Sequence, residues 1–296
     1  MHVKIVSLLP SATEIVFALG LGDSLVGRSF ECDHPAEATR VPVVSGTALP
    51  VGELTAREID AEVSTRVATG ESIYTLDVER IRAIQPDLIL AQDLCAVCAV
   101  PSGAVADALD VLGGTARVVS LDPVHLDDVV ACIGQVGAAT GREDAATDLM
   151  VALRARIDAV HVATRAAPPP RVFPLEWADP PFNGGHWIPD MLDAAGCVPV
   201  LSPSGARSQR IGWPEVAMAA PDAVVFLPCG FDLAGAVDQG AELCTRPELA
   251  GTPVWAVDAN AYFSRPGPRV VDGVELLGAT FHPELVAARP GATRLS

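Results

Sequence analysis

The stretch LAQDLCAVCAVP, residues 90–101, sets Cys95 and Cys98 at Cys-x-x-Cys spacing just past a run of apolar residues. Such a pair can be a redox dithiol, half of a metal site, or packing. Two further thiols stand at comparable places, Cys32 in FECDH beside Glu31, and Cys229 in PCGFD. Glu176 and His186 follow another predicted strand in the same way. If these side chains converge, thiolate and imidazole ligands suit zinc or an iron–sulfur cluster better than magnesium. Against a zinc signature, the chain has no second Cys-x-x-Cys and no His-x-x-x-His. A free cysteine is also among the most buried residue types, so packing stands beside chemistry at each position.

A second chemistry is carried by aromatics. Only fourteen Phe, Trp and Tyr occur in the chain, yet Trp177, Phe182, Trp187, Tyr262 and Phe263 cluster in the segments after predicted strands, with Arg265 following. Large flat ligands need such walls. His186 lies in the glycine-rich loop NGGHW, where ligand contact and plain loop solvation are both open. His2, His161 and His282 read as surface residues.

These residues need strands to position them. KIVSLL (4–9), LVGRS (25–29), DLILAQ (87–92) and ARVVSL (116–121) read as strands, and RIRAIQ (80–85) as a helix stopped by Pro86. Ser11 and Glu14 stand at capping-box spacing before the helical run TEIVFALG. Within the segment 47–73, Thr55 and Glu58 could cap a short helix. From His125 to about Ala163 the apolar spacing is helical, broken at Thr140-Gly141, and a long helix is expected within 143–165. The run AAPPPR (166–171) punctuates the chain before the strand VFPLEW.

The second half echoes the first. RIRAIQPDLILAQD (80–93) is matched by EVAMAAPDAVVFLPCG (215–230), each a helix, a Pro-Asp and an apolar strand. Strands alternating with helices imply parallel sheets with helical crossovers. The expected fold is therefore α/β, with two Rossmann-like lobes at 1–124 and 169–296 joined by a helical segment at 125–168, and a ligand cleft between lobes.

Composition narrows the function classes. The net charge is −17 and no basic run appears, so nucleic acid is excluded as a partner. No stretch is apolar for long enough to suggest a membrane-spanning helix. The opening MHVKIVSLLPSATE lacks a signal-peptide pattern, and an odd count of seven cysteines fits reduced thiols. The expectation from these features is a cytoplasmic protein.

Across SATE, ECDHP, DPPFNGGHW and YFSRPGPR the chain resembles the cobalamin-binding proteins, substrate-binding components of ABC transporters for cobalamin, haem and iron chelates. The resemblance spans residues 3–285. It implies binding without catalysis, with cobalamin or a related corrinoid clasped by Tyr74, Phe182, Trp213 and Tyr262 together with Arg265. It also implies that Glu79 and Glu215 dock on arginines of a permease. The thiols Cys32, Cys95, Cys98 and Cys229 and the segment 47–73 depart from the usual pattern. They leave an alternative, a cytosolic thiolate metal-binding or redox protein, perhaps enzymatic, on the same fold.

Overall fold

The computed structural model describes residues 3–49, 54–69, 71–93 and 116–296. The chain divides into two compact units, the first formed by residues 1–122 and 130–150, the second by 123–129 and 151–296.

Unit 1 is built on a six-stranded sheet in the order β4-β3-β2-β1-β5-β6. Its strands are β1 (Ile5–Ser7), β2 (Leu25–Ser29), β3 (Val43–Thr47), β4 (Tyr74–Leu76), β5 (Leu88–Ala91) and β6 (Arg117–Ser120). Every neighbouring pair is parallel except β3 with β4. The central strands β1 and β5 are buried at every position, as expected of parallel strands covered on both faces. Val6, Leu8, Val44, Ile81 and Ile89 form one core cluster there.

The first helix corrects the capping expectation. Helix α1 (Pro10–Ala18) begins with Leu9 as an extended N-cap that makes no side-chain bond, and Ser11 and Glu14 are buried inside it. Pro10 has φ set for a helix and lacks the N–H that a first turn leaves unpaired, so it starts the helix ahead of Ser11. At α2 (Ala56–Thr69) the box does form. Thr55 N donates to Glu58 Oε2 at 2.8 Å and Glu58 N to Thr55 Oγ1 at 3.4 Å, and the helix runs for 14 residues rather than a short turn. Helix α3 (Val78–Ile84) starts before the expected Arg80, because the Asp77 side chain accepts from Arg80 N at 3.0 Å.

Helices α4 (Leu126–Thr140) and α5 (Glu143–Thr164) turn at Gly141, whose φ of +69° is glycine territory. Both helices supply residues to both units, and within α5 the division falls between Met150 and Val151. The start of α4 is fastened in unit 2, where Leu126 N donates to Asp190 Oδ2 at 2.9 Å.

Unit 2 has strands β7 (Arg171–Ala178), β8 (Pro181–Asn183), β9 (Val198–Pro199), β10 (Ala223–Phe226), β11 (Val254–Val257) and β12 (Ala292–Arg294). The order is β12-β11-β10-β7-β8, with β9 also pairing β7. Strands β7, β10 and β11 are mutually parallel, while β8 and β12 run antiparallel at the edges. Around them lie α6 (Ile188–Ala194), α7 (Trp213–Ala219), α8 (Leu233–Gly240), α9 (Ala259–Tyr262) and α10 (Val270–Phe281). The core gathers Phe173, Leu175, Val216, Val224, Phe226 and Val254.

The repeat seen in the sequence has a shared physical cause. In unit 1, Asp87 accepts from Lys4 N at 2.8 Å, and Lys4 Nζ donates to Ile84 O, the last residue of α3, at 3.2 Å. In unit 2, Asp222 accepts from Arg171 N at 2.8 Å, and an Arg171 guanidinium N–H donates to Ala219 O, the last residue of α7, at 2.8 Å. Each helix ends on a left-handed residue, Gln85 or Ala220, just before its proline. The Pro-Asp thus stops a helix and pins the unit's central strand, while a cation covers the orphan carbonyls.

Candidate ligand-binding site

The strand ends of unit 2 hold most of the predicted site residues. The hairpin of β7 and β8 pairs Trp177 with Phe182 in register. Trp177 lies 6.1 Å, centroid to centroid, from Phe231 after β10. Phe231 O in turn accepts from Asn260 N in α9, the helix that ends with Tyr262. Trp177, Phe182, Phe231 and Tyr262 all keep exposed surface. The Arg210 guanidinium lies 5.7 Å from the centre of the Phe182 ring. These contacts bring Trp177, Phe182 and Phe231 together as an aromatic patch at strand ends, where ligands of open α/β sheets bind, while the Tyr262 ring lies beside Gly291 and Leu276. Arg265 is half-buried beyond the end of α9.

Three expected wall residues are corrected. Phe263 is fully buried and Trp187 is 6% exposed. Both pack the interior of unit 2, because α9 turns the Phe263 side chain inward and Trp187 opens α6 against it. Trp213 is 9% exposed, belongs to the core cluster and carries the Arg246 guanidinium 4.1 Å from its ring centre. His282 is not a surface residue. It is buried, with Nε2 3.0 Å from Gly196 O.

Glu176 and His186 occupy the polar floor beside the patch. The Glu176 carboxylate accepts from the Ser208 hydroxyl and, at 3.4 Å, from Gly185 N. Desolvation raises its pKa, and those two hydrogen bonds only partly oppose it. His186 has its pKa lowered, first by burial and then by the charge of Arg207. Gly185 is obligatory here, since a Cβ would overlap the backbone of Ser208 and Ala206. Ser208, Arg207 and Arg210 are not signalled by the sequence, and Phe231 is signalled only by its place after a predicted strand in PCGFD. The first three lie in an irregular segment whose pattern gives no element.

The thiol cluster is not supported. Cys32 is fully buried in unit 1, where its sulfur accepts from the Thr13 hydroxyl at 3.0 Å, while Cys229 is exposed in unit 2. Glu31 is half-buried beside Cys32 in sequence. Cys95 and Cys98 lie outside the described residues. Among the described residues no three His, Cys, Asp or Glu side chains are grouped to hold a metal ion. Nothing among the described residues supports zinc or an iron–sulfur cluster.

Tyr74 on β4 is half-buried against the core of unit 1. Glu79 and Glu215 are exposed in the first turns of α3 and α7. Glu215 also closes a capping box, its Oε2 accepting from Gly212 N at 2.7 Å.

The model of the periplasmic binding protein family matches residues 5–258. The chain belongs to that family. It is 26% identical over 294 residues to the ABC transporter substrate-binding lipoprotein YvrC of Bacillus subtilis, covering 95% of this chain and 80% of that protein. To a vitamin B12-binding protein of Pectobacterium atrosepticum it is 27% identical over 279 residues, 90% of this chain and 84% of the relative. Among solved structures, the periplasmic vitamin B12-binding protein BtuF of Vibrio cholerae aligns with a TM-score of 0.67 at 21% identity, covering 94% of this chain and 96% of its own. A periplasmic haem-binding protein of Pseudomonas aeruginosa aligns at 0.71, with 21% identity and coverage of 99% and 98%. Those structures establish the two-lobed α/β fold.

The family overturns the cytoplasmic expectation. Its members are described as periplasmic, and one relative is a lipoprotein. A charge count and a cysteine count carry less weight than a match along most of the chain. Among the described residues, no helix is long and apolar enough to cross a membrane.

Proposed function

We propose that this periplasmic binding protein is the extracytoplasmic substrate-binding component of an ABC transporter, and that its ligand is cobalamin or a related corrinoid. The observation that carries this reading is the aromatic patch of unit 2. Trp177, Phe182, Phe231 and Tyr262 keep exposed surface, as do Trp255 and Phe281, while Phe173, Trp187, Trp213, Phe226 and Phe263 are buried. Exposed aromatic area at strand ends of one unit suits a large, flat, mostly apolar ligand.

The rest of the reading follows from chemistry and relatives. A corrinoid rim carries neutral amides, and Arg265 can donate to amide oxygens through its fixed fork of N–H groups. Glu176 and His186 add polar contacts beside the patch. Curated relatives named vitamin B12-binding proteins match over most of the chain. Glu79 and Glu215 are the candidate contacts to a permease, since both carboxylates are exposed. Binding alone accounts for all these features, and no catalytic step is needed.

Isothermal titration with aquocobalamin, aquocobinamide and haemin tests the reading. Corrinoid binding with a dissociation constant near or below about 1 μM, about −8 kcal/mol, is the expected result. Binding of haemin with no corrinoid binding would overturn the ligand, and folded protein that binds neither would overturn the function.

A further inference from the structure

The register of the β7–β8 hairpin sets a cation beside its aromatics. Trp177 is paired with Phe182, and Phe182 forms an antiparallel bridge with Arg210. Directly paired residues on neighbouring strands carry their side chains on the same face. Trp177, Phe182 and Arg210 therefore stand in one row across three lengths of backbone, with Phe231 against Trp177. The Arg210 guanidinium lies over the Phe182 ring, 5.7 Å from its centre. The row is an aromatic wall that ends in a positive charge.

The backbone that carries Arg210 is pinned more firmly than an exposed arginine needs. Asn183 N donates to Gln209 O at 3.0 Å, Gln209 N to Asn183 Oδ1 at 2.6 Å, and Ile211 N to Pro181 O at 2.9 Å. Earlier in the same segment, Ala206 O accepts from His186 N at 2.6 Å. The side chain of Arg210 is itself exposed, so a dissolved ligand reaches it without an opening in the fold.

Charge in this segment is one-sided. Between Asp193 and Glu215 the chain has Arg207 and Arg210 and no acid, although 37 Asp and Glu occur in all. Glu176, next to Trp177 in the chain, is held toward its neutral form by desolvation, which works against a compensating negative charge. The hairpin turn adds one acid, the half-buried Asp179. A guanidinium has five N–H donors and can serve a protein partner and a ligand together.

An aromatic wall with an arginine at its edge fits a flat ligand that carries an anion at its rim. On a complete cobalamin the amide side chains are neutral, and the phosphodiester of the nucleotide loop is negative. A stacked guanidinium has its plane fixed and presents parallel N–H groups to such oxygens. We propose that Arg210 binds the phosphodiester of a bound cobalamin, and so favours complete cobalamins over cobinamides, which lack that group. This rests on the corrinoid reading above and names the part of the ligand class that the site selects.

Isothermal titration of the full chain with cyanocobalamin and dicyanocobinamide tests this, on wild type and on Arg210→Gln. Glutamine keeps a polar side chain and loses both the charge and the fork, and circular dichroism checks that the variant folds. The variant's loss of affinity for cyanocobalamin should exceed its loss for dicyanocobinamide by about tenfold, a difference of 1.4 kcal/mol. A loss no greater for cyanocobalamin than for dicyanocobinamide overturns the phosphodiester contact and leaves the corrinoid reading standing. If the folded wild type binds neither corrinoid, both fall. Should Arg210→Gln not fold, Arg210→Met, which covers the Phe182 ring without a charge, takes its place with the same outcomes.

Discussion

The indole Nε1 of Trp187 donates to the backbone carbonyl of Phe263 at 2.8 Å, with both residues buried. The bond ties the loop that opens α6 to the end of α9. It turns two aromatics that read as ligand walls into parts of the core. Trp187→Phe keeps a ring and removes the donor, leaving a buried carbonyl short of a partner. A loss of about 1–3 kcal/mol is expected. Thermal denaturation should register it, while corrinoid affinity stays close to wild type. A wall residue would show the reverse, a loss of affinity with unchanged stability.

Glu176 is raised in pKa by desolvation, so the folded state holds its proton more tightly than the unfolded chain. Stability therefore falls as pH rises from the ordinary value of 4.5 through the folded value. Glu176→Gln keeps an oxygen to accept from Ser208 and Gly185 and cannot ionise. Its melting temperature should exceed wild type by a few degrees at neutral pH. That gain should vanish at pH below 4.5. Parallel melting profiles across the range would show that the carboxylate is adequately solvated.

The thiols should separate by reactivity. Cys32, Cys132 and Cys197 are buried, and Cys229 and Cys244 are exposed. Desolvation, with the nearby charge of Asp193, pushes the Cys197 pKa up to about 12, so its thiolate is scarce at neutral pH. Alkylation of native protein followed by peptide mass mapping should label Cys229 and Cys244 quickly, and the three buried thiols only after denaturant. Rapid labelling of Cys32 would contradict its place in the core.

Local signals in the sequence were read well where the physics is local. The box of Thr55 and Glu58 forms because both partners lie within one turn, and Gly141 breaks the helices because its φ is left-handed. The box of Ser11 and Glu14 fails for an equally local reason that was overlooked, the preference of Pro10 for a first helical turn. The site was legible only as a list of strand-end residues. Ser208 gave no signal, and Phe231 stood out only by its strand-end place in PCGFD, since their roles depend on partners 32 and 54 residues away, Glu176 and Trp177.

By itself the sequence determined that this chain makes two α/β units, each carrying a helix, a Pro-Asp and a buried strand. Helix stops, caps and apolar runs act between neighbours in the chain. Only the tertiary structure decided that Asp87 and Asp222 each accept from the residue at the start of their unit's central strand. It alone sorted the aromatics, sending Trp187, Trp213 and Phe263 inward and leaving Trp177, Phe182 and Tyr262 with exposed surface. The reason is that burial sums over neighbours far apart in sequence. Residue type sets how much a side chain gains from being covered, and the packed fold sets which ones are.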